Sequence, residues 1–179
     1  MFINRKASTF ISTKHRKRVK TNSSIIKTKK METKLNSDGG LKSLGFNRLA
    51  FSVTDLEKSI KWYHDVLGFE VTFRTEFFKA NAIVAFMQKN NIPLELLQAK
   101  SGAFRIDALF EHAPNHTKPI GNKLLVLEVD DLHAATLELE EKGVTFEFKE
   151  VLHLPGVVST MIRDIDLNFI NIFQKAEGI

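Results

Sequence analysis

Two segments of the chain carry the hydrophobic pattern of a β-strand followed by a helix. In residues 48–53, large apolar side chains occupy the odd positions and polar or small ones the even positions, which predicts a half-buried strand. Residues 124–129 repeat the strand with a more uniformly apolar composition. Asp55 and Asp131 follow these strands where a helix N-cap is expected, and apolar residues then recur at helical spacing. The apolar stripes are Leu56, Ile60, Tyr63 and Leu67 in the first helix and Leu132, Ala135 and Leu139 in the second.

Each predicted helix is followed by a glycine and then by three more candidate strands. Gly68 and Gly143 stand where a left-handed residue commonly ends a helix. Runs rich in β-branched and aromatic residues follow them, which predicts strands. These runs are 69–77, 80–88 and 92–98 after the first helix, and 145–150, 157–163 and 168–174 after the second.

Short matches at a constant spacing indicate that the two halves are copies of one plan. Val-Thr-Asp-Leu at 53–56 recurs as Val-Asp-Asp-Leu at 129–132, and the character of 94–96 recurs at 170–172, with the same offset in both cases. We therefore predict an α+β fold in which two βαβββ modules form curved mixed sheets around a cleft. The predicted domain covers residues 41–179. Its parts are module one at about 45–99, a linker at 100–121 and module two at about 122–175.

Composition and charge divide the chain differently. Residues 1–34 hold eleven Lys or Arg against one acid, which leaves fifteen bases and twenty acids in residues 35–179. The folded part is thus mildly acidic and not suited to nucleic-acid binding. No run of 18 apolar residues indicates a membrane span, and the absence of cysteine excludes disulfides and thiolate sites.

The basic N-terminal extension, residues 1–40, has the composition of a disordered segment. Three interpretations stay open: translation beginning at Met31, organelle targeting by residues 1–30, and a basic arm that binds nucleic acid or anionic lipid. With the first interpretation, we expect the protein in the cytoplasm.

Strand alternation assigns side chains to two faces of the sheets. One face should lie under the helices and the other should line the cleft, although a one-residue shift of register would exchange them. The residues expected under the helices are Leu49, Phe51, Leu94, Leu96, Leu125, Leu127, Ile170 and Ile172. Those expected on the cleft face are Arg48, Ala50, Ser52, Glu95, Leu97, Leu124, Val126, Glu128, Phe169, Asn171 and Phe173.

Residues 45–175 resemble the vicinal oxygen chelate superfamily of glyoxalases, bleomycin-resistance proteins and extradiol dioxygenases. The resemblance rests on Trp62-Tyr63 followed by Leu67-Gly68-Phe69, on the repeated 129–132 segment, and on Asp-Ile-Asp-Leu-Asn at 164–168. It implies a divalent metal held by His or Glu from the first and fourth strands of each module. It also implies a frequent tendency to form homodimers.

The matching positions here are Arg48, Glu95, Leu124 and Asn171. Arginine is permanently protonated, leucine has no donor atom, and asparagine offers only a neutral oxygen, so Glu95 is the one family-position residue suited to a metal. We therefore expect no metal and no other cofactor. We hypothesise instead that the Arg48 guanidinium takes the place of the metal and pairs with Glu95. The alternative is that Arg48 reaches solvent and Glu95 accepts surface hydrogen bonds.

The function that follows from the resemblance is that of a small-molecule-binding protein of the glyoxalase and bleomycin-resistance type, with Arg48, Glu95, Leu124, Asn171, Ser52 and Phe173 at its ligand site. The alternative is a metal-dependent lyase, isomerase or dioxygenase with other ligands, or an enzyme using Glu95 as a general base. A third is an interaction module with an empty cleft.

If a metal is bound, its replacement ligands could come from His112, His116 or His153, although Pro114 opposes a helix that would align the first two. His64 and His133 are predicted to be surface residues. Phe77, Phe78, Phe86, Phe104 and Phe110 are candidates for an aromatic pocket.

Overall fold

The computed structural model describes residues 45–122 and 124–175. The predictions of disorder in residues 1–40 and of translation beginning at Met31 concern residues outside these ranges. Module one consists of β1 (Leu49–Ser52), α1 (Leu56–Leu67), β2 (Glu70–Phe77), β3 (Ala82–Lys89) and β4 (Ile92–Ala99). Module two consists of β5 (Leu124–Val129), α2 (Leu132–Glu141), β6 (Thr145–Leu154), β7 (Val157–Arg163) and β8 (Phe169–Gln174). Short 3₁₀ helices lie at Phe78–Ala80, Asp107–Leu109 and Asn115–Thr117. The predicted α+β fold of two βαβββ modules is confirmed.

The two modules have the same sheet topology. Their strand orders are β1-β4-β3-β2 and β5-β8-β7-β6, with a parallel first pair and antiparallel pairs after it. The Gln98 side-chain oxygen accepts from the backbone N–H of Leu56 at 2.7 Å, and that of Gln174 accepts from Leu132 at 2.8 Å. The partners of the second bond follow those of the first at the offset of the sequence repeat. The internal duplication is therefore confirmed down to individual hydrogen bonds.

The helices begin where the sequence predicts. The Asp55 carboxylate accepts from the backbone N–H of Lys58 at 3.1 Å, and Asp131 accepts from that of Ala134 at 2.9 Å. Each bond satisfies an N–H that the first helical turn cannot pair internally. Gly68 ends α1 with φ of 72°, a left-handed conformation that costs glycine little.

The predicted division of side chains between the faces agrees with the core. All eight residues expected under the helices belong to, or pack against, one apolar cluster that also contains Tyr63, Phe69 and Leu139. The cluster draws on both modules, so the helices and one face of each sheet share a single core. The opposite faces of the sheets are left for other contacts.

Two predicted strand limits were wrong. The third strand of module one begins at Ala82 because residues 78–80 form a 3₁₀ turn. Strand β6 extends to Leu154 through shifts of register, and Glu150 has a positive φ of 47°. That irregularity breaks the alternation on which the prediction depended. His153, one of the candidate replacement ligands, lies in this extension of β6.

Hydrogen bonds from α1 and the end of β1 join module one to the turn between β7 and β8. The Tyr63 hydroxyl donates to the buried Asp164 carboxylate at 2.9 Å, while Thr54 and Ser59 donate to Asp166. Burial raises the pKa of Asp164, and the hydrogen bonds from Asn168 and Tyr63 only partly offset it. The end of β1 is thereby held beside the start of β8. Among the described residues, no helix is long and apolar enough to cross a membrane.

Candidate functional site

The residues at the family's metal-ligand positions lie on the sheet faces turned away from the helices. Ala50 is the register partner of Glu95, and Arg48, two residues earlier in the chain, has the same alternation as Ala50. In module two, Val126 is the register partner of Asn171. Leu124 precedes Val126 by two positions. Arg48 and Leu124 thus occupy equivalent positions in the two sheets, and so do Glu95 and Asn171.

Arg48 packs against an aromatic ring beside Glu95. Its guanidinium carbon lies 3.9 Å from the centroid of the Phe86 ring, a cation–π contact. The Arg48 Nε is 4.0 Å from a Glu95 carboxylate oxygen, and the two side chains are 32% and 14% exposed. The structure brings these two residues together as the hypothesis of a guanidinium in the metal's place requires. The contact with Glu95 is a loose ion pair, longer than a hydrogen bond.

Phenylalanine rings extend this contact across the face. Phe73 stacks on Phe86 with centroids 5.8 Å apart and ring planes 20° apart, and Phe77 lies 6.3 Å from Phe86. Phe73 is 57% exposed and Phe77 37% exposed. Phe86 and Phe77 were among the aromatic candidates, whereas Phe73 was missed. Its pairing with Phe86 across β2 and β3 follows a register shift that alternation does not reveal.

In module two, Asn171 is buried on the corresponding face. It is 8% exposed, and its side-chain oxygen has no hydrogen-bond partner among the described residues. Leu124 is half-buried beside Phe169 on β8. Phe173, also predicted for the site, is half-buried, with its ring 6.1 Å from that of His153.

Ser52 lies at the other end of β1, where it lines a cavity of about 610 Å³ with residues of the linker and of the β7–β8 turn. Two of the aromatic candidates, Phe104 and Phe110, line this cavity, and Phe104 is 88% exposed. Phe78 is 82% exposed on its 3₁₀ turn. The candidate phenylalanines therefore divide between two regions and do not form one pocket.

The linker covers part of the module two face, which the sequence did not indicate. His116 is 4% exposed and its ring centroid lies 4.6 Å from that of Phe169. Phe169, expected to line an open cleft, is 2% exposed. Arg163 also packs on this ring, with its guanidinium carbon 4.2 Å from the centroid.

A buried ion pair holds the linker in place. Arg163 donates to the Glu147 carboxylate at 2.8 Å and to the backbone oxygen of Phe110 at 2.8 Å. Glu147 also accepts from the backbone N–H of Ala113 and lies 3.0 Å from the His112 ring nitrogen. Burial raises the pKa of Glu147, but the hydrogen bonds from Ala113, Arg163 and His112 outweigh it, so the pKa is lowered.

The donor atoms at the four family positions do not fit a divalent metal. Arg48 and Leu124 have no lone pair to offer, which leaves one carboxylate and one amide. In residues 45–122 and 124–175, no three His, Asp or Glu side chains are grouped so as to hold a metal ion. His112 pairs with Glu147, His116 packs on Phe169 and the His153 Nε2 lies 2.7 Å from the Ser159 hydroxyl. The candidate replacement ligands are thus occupied in separate contacts.

The comparisons with known proteins agree with this fold. The Glyoxalase/Bleomycin resistance protein/Dioxygenase superfamily matches residues 45–172. The human mitochondrial methylmalonyl-CoA epimerase is 28% identical over 114 residues, which are 63% of this chain and 62% of that protein. The chain therefore spans about six tenths of the length of this relative.

Solved structures show the same fold at low sequence identity. A glyoxylase/bleomycin resistance protein/dioxygenase domain from Frankia sp. EAN1pec is 22% identical with a TM-score of 0.59, covering 76% of this chain and 95% of that one. TnmS3, an antibiotic binding protein from Streptomyces sp. CB03234, is 23% identical with a TM-score of 0.53, covering 75% and 98%. At this level of identity the similarity is one of architecture.

Proposed function

The chain belongs to the Glyoxalase/Bleomycin resistance protein/Dioxygenase superfamily, and we propose that it binds a small organic molecule on its sheet faces without a metal and without transforming it. The observation that carries the proposal is the Arg48 guanidinium, stacked 3.9 Å from Phe86 beside Glu95 at a family metal position. A guanidinium supplies fixed positive charge and hydrogen-bond donors where a metal would otherwise act. Exposed aromatic rings around it supply the apolar surface that small-molecule sites require.

The proposal is tested by a thermal-shift screen of small organic compounds, followed by calorimetry on each compound that raises the melting temperature. We expect Arg48→Ala to weaken binding at least about tenfold, since it removes both the charge and the stacked surface. Lys61→Ala is the matched control, because Lys61 is a 78% exposed cation on α1. Equal binding by the wild type and Arg48→Ala would remove Arg48 from the site.

The absence of chemistry is tested separately. We expect the bound compound to be recovered unchanged, by mass spectrometry, after incubation with the protein. Elemental analysis after incubation with Zn, Mn, Mg, Fe or Ni should find far less than one equivalent of each, because the family positions lack donors. A near-stoichiometric metal together with conversion of the compound would overturn the proposal.

An enzyme is the second candidate, favoured by the name of the human relative. In that case the chain would isomerise an acyl-CoA with metal ligands from elsewhere, or with Glu95 as a general base. The two candidates use the Glu95 carboxylate differently: it is the partner of the Arg48 guanidinium in the binding protein and the general base in the enzyme. Epimerisation of methylmalonyl-CoA, assayed with and without divalent metals, distinguishes the candidates.

We place the protein in the cytoplasm, with organelle targeting by residues 1–30 as the alternative. The mitochondrial location in the name of the human relative favours the alternative. A fluorescent protein fused to residues 1–30 decides between them: diffuse cytoplasmic fluorescence supports the proposal, and accumulation in an organelle overturns it.

A further inference from the structure

A cavity lies at the junction of the two modules, apart from the family's metal-ligand positions. Its volume is about 540 Å³, within the range of small-molecule sites. Its walls come from α1, from the segment 142–145 where α2 gives way to β6, and from residues 163–165 at the end of β7. None of the four family positions is among its lining residues. A ligand in this junction cavity would therefore use a different site from the one proposed above.

Hydrogen bonds between the modules hold the walls of the junction cavity in place. The Lys142 ammonium of module two donates to the backbone oxygen of Val66 at 3.0 Å and to Glu138 at 2.6 Å. Val66 lies in the last turn of α1, where backbone oxygens lack partners within the helix. The Tyr63 hydroxyl of module one donates to Asp164 of module two at 2.9 Å. Because Val66, Lys142 and Asp164 all line the cavity, its shape is set by the fold.

One part of the wall is aromatic and aliphatic. Trp62, Val66 and Val144 line it and are half-buried, and Ile165 is exposed there. Trp62 is the only tryptophan of the chain, and its ring meets that of Tyr63 edge-on with centroids 5.0 Å apart. This indole and the aliphatic side chains around it offer an apolar surface on which an aromatic ligand can pack.

The rest of the wall is rich in hydrogen-bond donors. Lys58 and Lys61 of α1 line the cavity and are largely exposed, and Lys142 is partly exposed. Each ammonium group has three donors and no acceptor. The fourth cation of the wall, Arg163, is buried and committed to Glu147. The three lysines are therefore the groups that a bound anion would contact.

The carboxylates near these lysines do not take up the whole wall. Asp55 and Glu138, the partners of Lys58 and Lys142, are not among the lining residues. Asp65 lines the cavity and pairs with Lys61. Asp164, the other acid of the wall, is buried and accepts hydrogen bonds from the backbone of its own turn. Exposed lysine pairs contribute little to stability, so a ligand carboxylate can accept from the same ammonium groups.

We propose that the junction cavity binds an aromatic carboxylate, with its ring system against Trp62 and its carboxylate accepting hydrogen bonds from the lysine ammonium groups. This second site goes beyond the proposed function and does not rest on it. A cationic ligand of the same shape would bring its charge next to three ammonium groups and is disfavoured.

Three naphthalene compounds of one shape and different charge test the proposal on the full chain. They are naphthalene-2-carboxylate as the anion, the 2-carboxamide as the neutral form and the 2-carboxamidine as the cation. The indole N–H of the single tryptophan, followed by ¹⁵N NMR, reports on occupancy of the cavity. We expect the carboxylate to shift this signal to saturation and to bind at least about fivefold more tightly than the carboxamide, with the carboxamidine weakest.

A double variant, Lys58→Met with Lys61→Met, tests the role of the lysines. Methionine keeps a long side chain and a similar helix propensity at these exposed positions while removing the charge. We expect the double variant to weaken carboxylate binding at least about fivefold and to leave carboxamide binding nearly unchanged. Lys149→Met is the matched control, because Lys149 is an exposed lysine of β6 that does not line the cavity. Arg48→Ala should also leave the carboxylate affinity unchanged.

The proposal is wrong if the carboxylate gives no saturable shift, if the carboxamidine binds as tightly, or if the double variant keeps the wild-type affinity for the carboxylate. Loss of carboxylate binding in Arg48→Ala would also overturn it, since the ligand would then occupy the sheet face. The proposed function is decided by compounds whose binding depends on Arg48, so either proposal can fail while the other stands.

Discussion

The two modules share one topology, but their outer sheet faces are used differently. In module one the face carries Phe73 and Phe77 with substantial exposure around the Arg48–Phe86 contact. In module two the linker packs onto the face, and His116 and Phe169 are both nearly inaccessible. Duplication therefore preserved the framework, while one face remained available for a ligand and the other became partly an internal contact.

A single position illustrates the divergence. Arg163 pairs with Phe169 across β7 and β8, and Gln88 pairs with Pro93 at the equivalent point of β3 and β4. Gln88 is exposed and donates to the nearby backbone oxygen of Asn90. Arg163 is buried and binds Glu147 and the linker. Gln88 thus makes a contact within its own turn in module one, whereas Arg163 in module two holds the linker, which is distant in the chain.

The largest expected effect comes from removing the ion pair between Glu147 and Arg163. Glu147→Ala leaves the Arg163 charge buried without its partner, which should lower the free energy of unfolding by about 3 kcal/mol in urea denaturation. Hydrogen exchange in residues 110–118 should also accelerate, because Glu147 holds Ala113 and His112.

Glu57→Ala is the matched control, since the Glu57–Arg74 pair on module one is 68% and 49% exposed and should contribute little. A loss in Glu147→Ala no larger than in Glu57→Ala would mean that the Glu147–Arg163 ion pair does not stabilise the fold.

An intermediate effect is expected under the helices. The Thr136 and Thr160 hydroxyls are 2.9 Å apart in the core beneath α2, whereas module one has Ile60 at the position equivalent to Thr136. Thr136→Val removes this hydrogen bond at constant shape and should lower the free energy of unfolding by about 1 kcal/mol.

Thr145→Val, at an exposed position of β6, is the control and should leave the urea midpoint unchanged. If Thr136→Val is as stable as the wild type, the hydrogen bond between the Thr136 and Thr160 hydroxyls contributes nothing to the free energy of unfolding.

The smallest effect concerns one ion pair in each module. Glu57 pairs with Arg74, and at the equivalent positions of module two His133 pairs with Glu150, so the charges are exchanged. The hydrogen bond with Glu150 and the charge of that carboxylate raise the pKa of His133 above 6.5. Its folded pKa exceeds its unfolded one, so the stabilisation is complete below pH 6.5 and is lost as the pH rises through the folded value.

An NMR titration of the His133 ring checks this. The midpoint should lie above 6.5 in the wild type and return towards 6.5 in Glu150→Gln. A wild-type midpoint at or below 6.5 would show that the pair does not persist in solution.

Much of this architecture could be predicted from local pattern. Alternation identified the strands and the core face, and Asp55, Asp131 and Gly68 marked helix ends, because caps and amphipathic periods depend on neighbours within a few residues. The proximity of Arg48 and Glu95 was also predicted, since it follows from the face that each occupies. The assignment of ligand contact to Ser52 and Phe173 remains a prediction.

Other features depended on contacts between residues far apart in the chain. Phe73 reached Phe86 through a register shift, β6 continued past an irregular Glu150, and the linker brought His116 onto Phe169. The sequence by itself determined the duplicated modules, the helix ends and which side chains face away from the core. Only the tertiary structure decided which of those outward faces stays open, because alternation separates the two sides of a sheet without indicating where a long connection of mixed composition will pack.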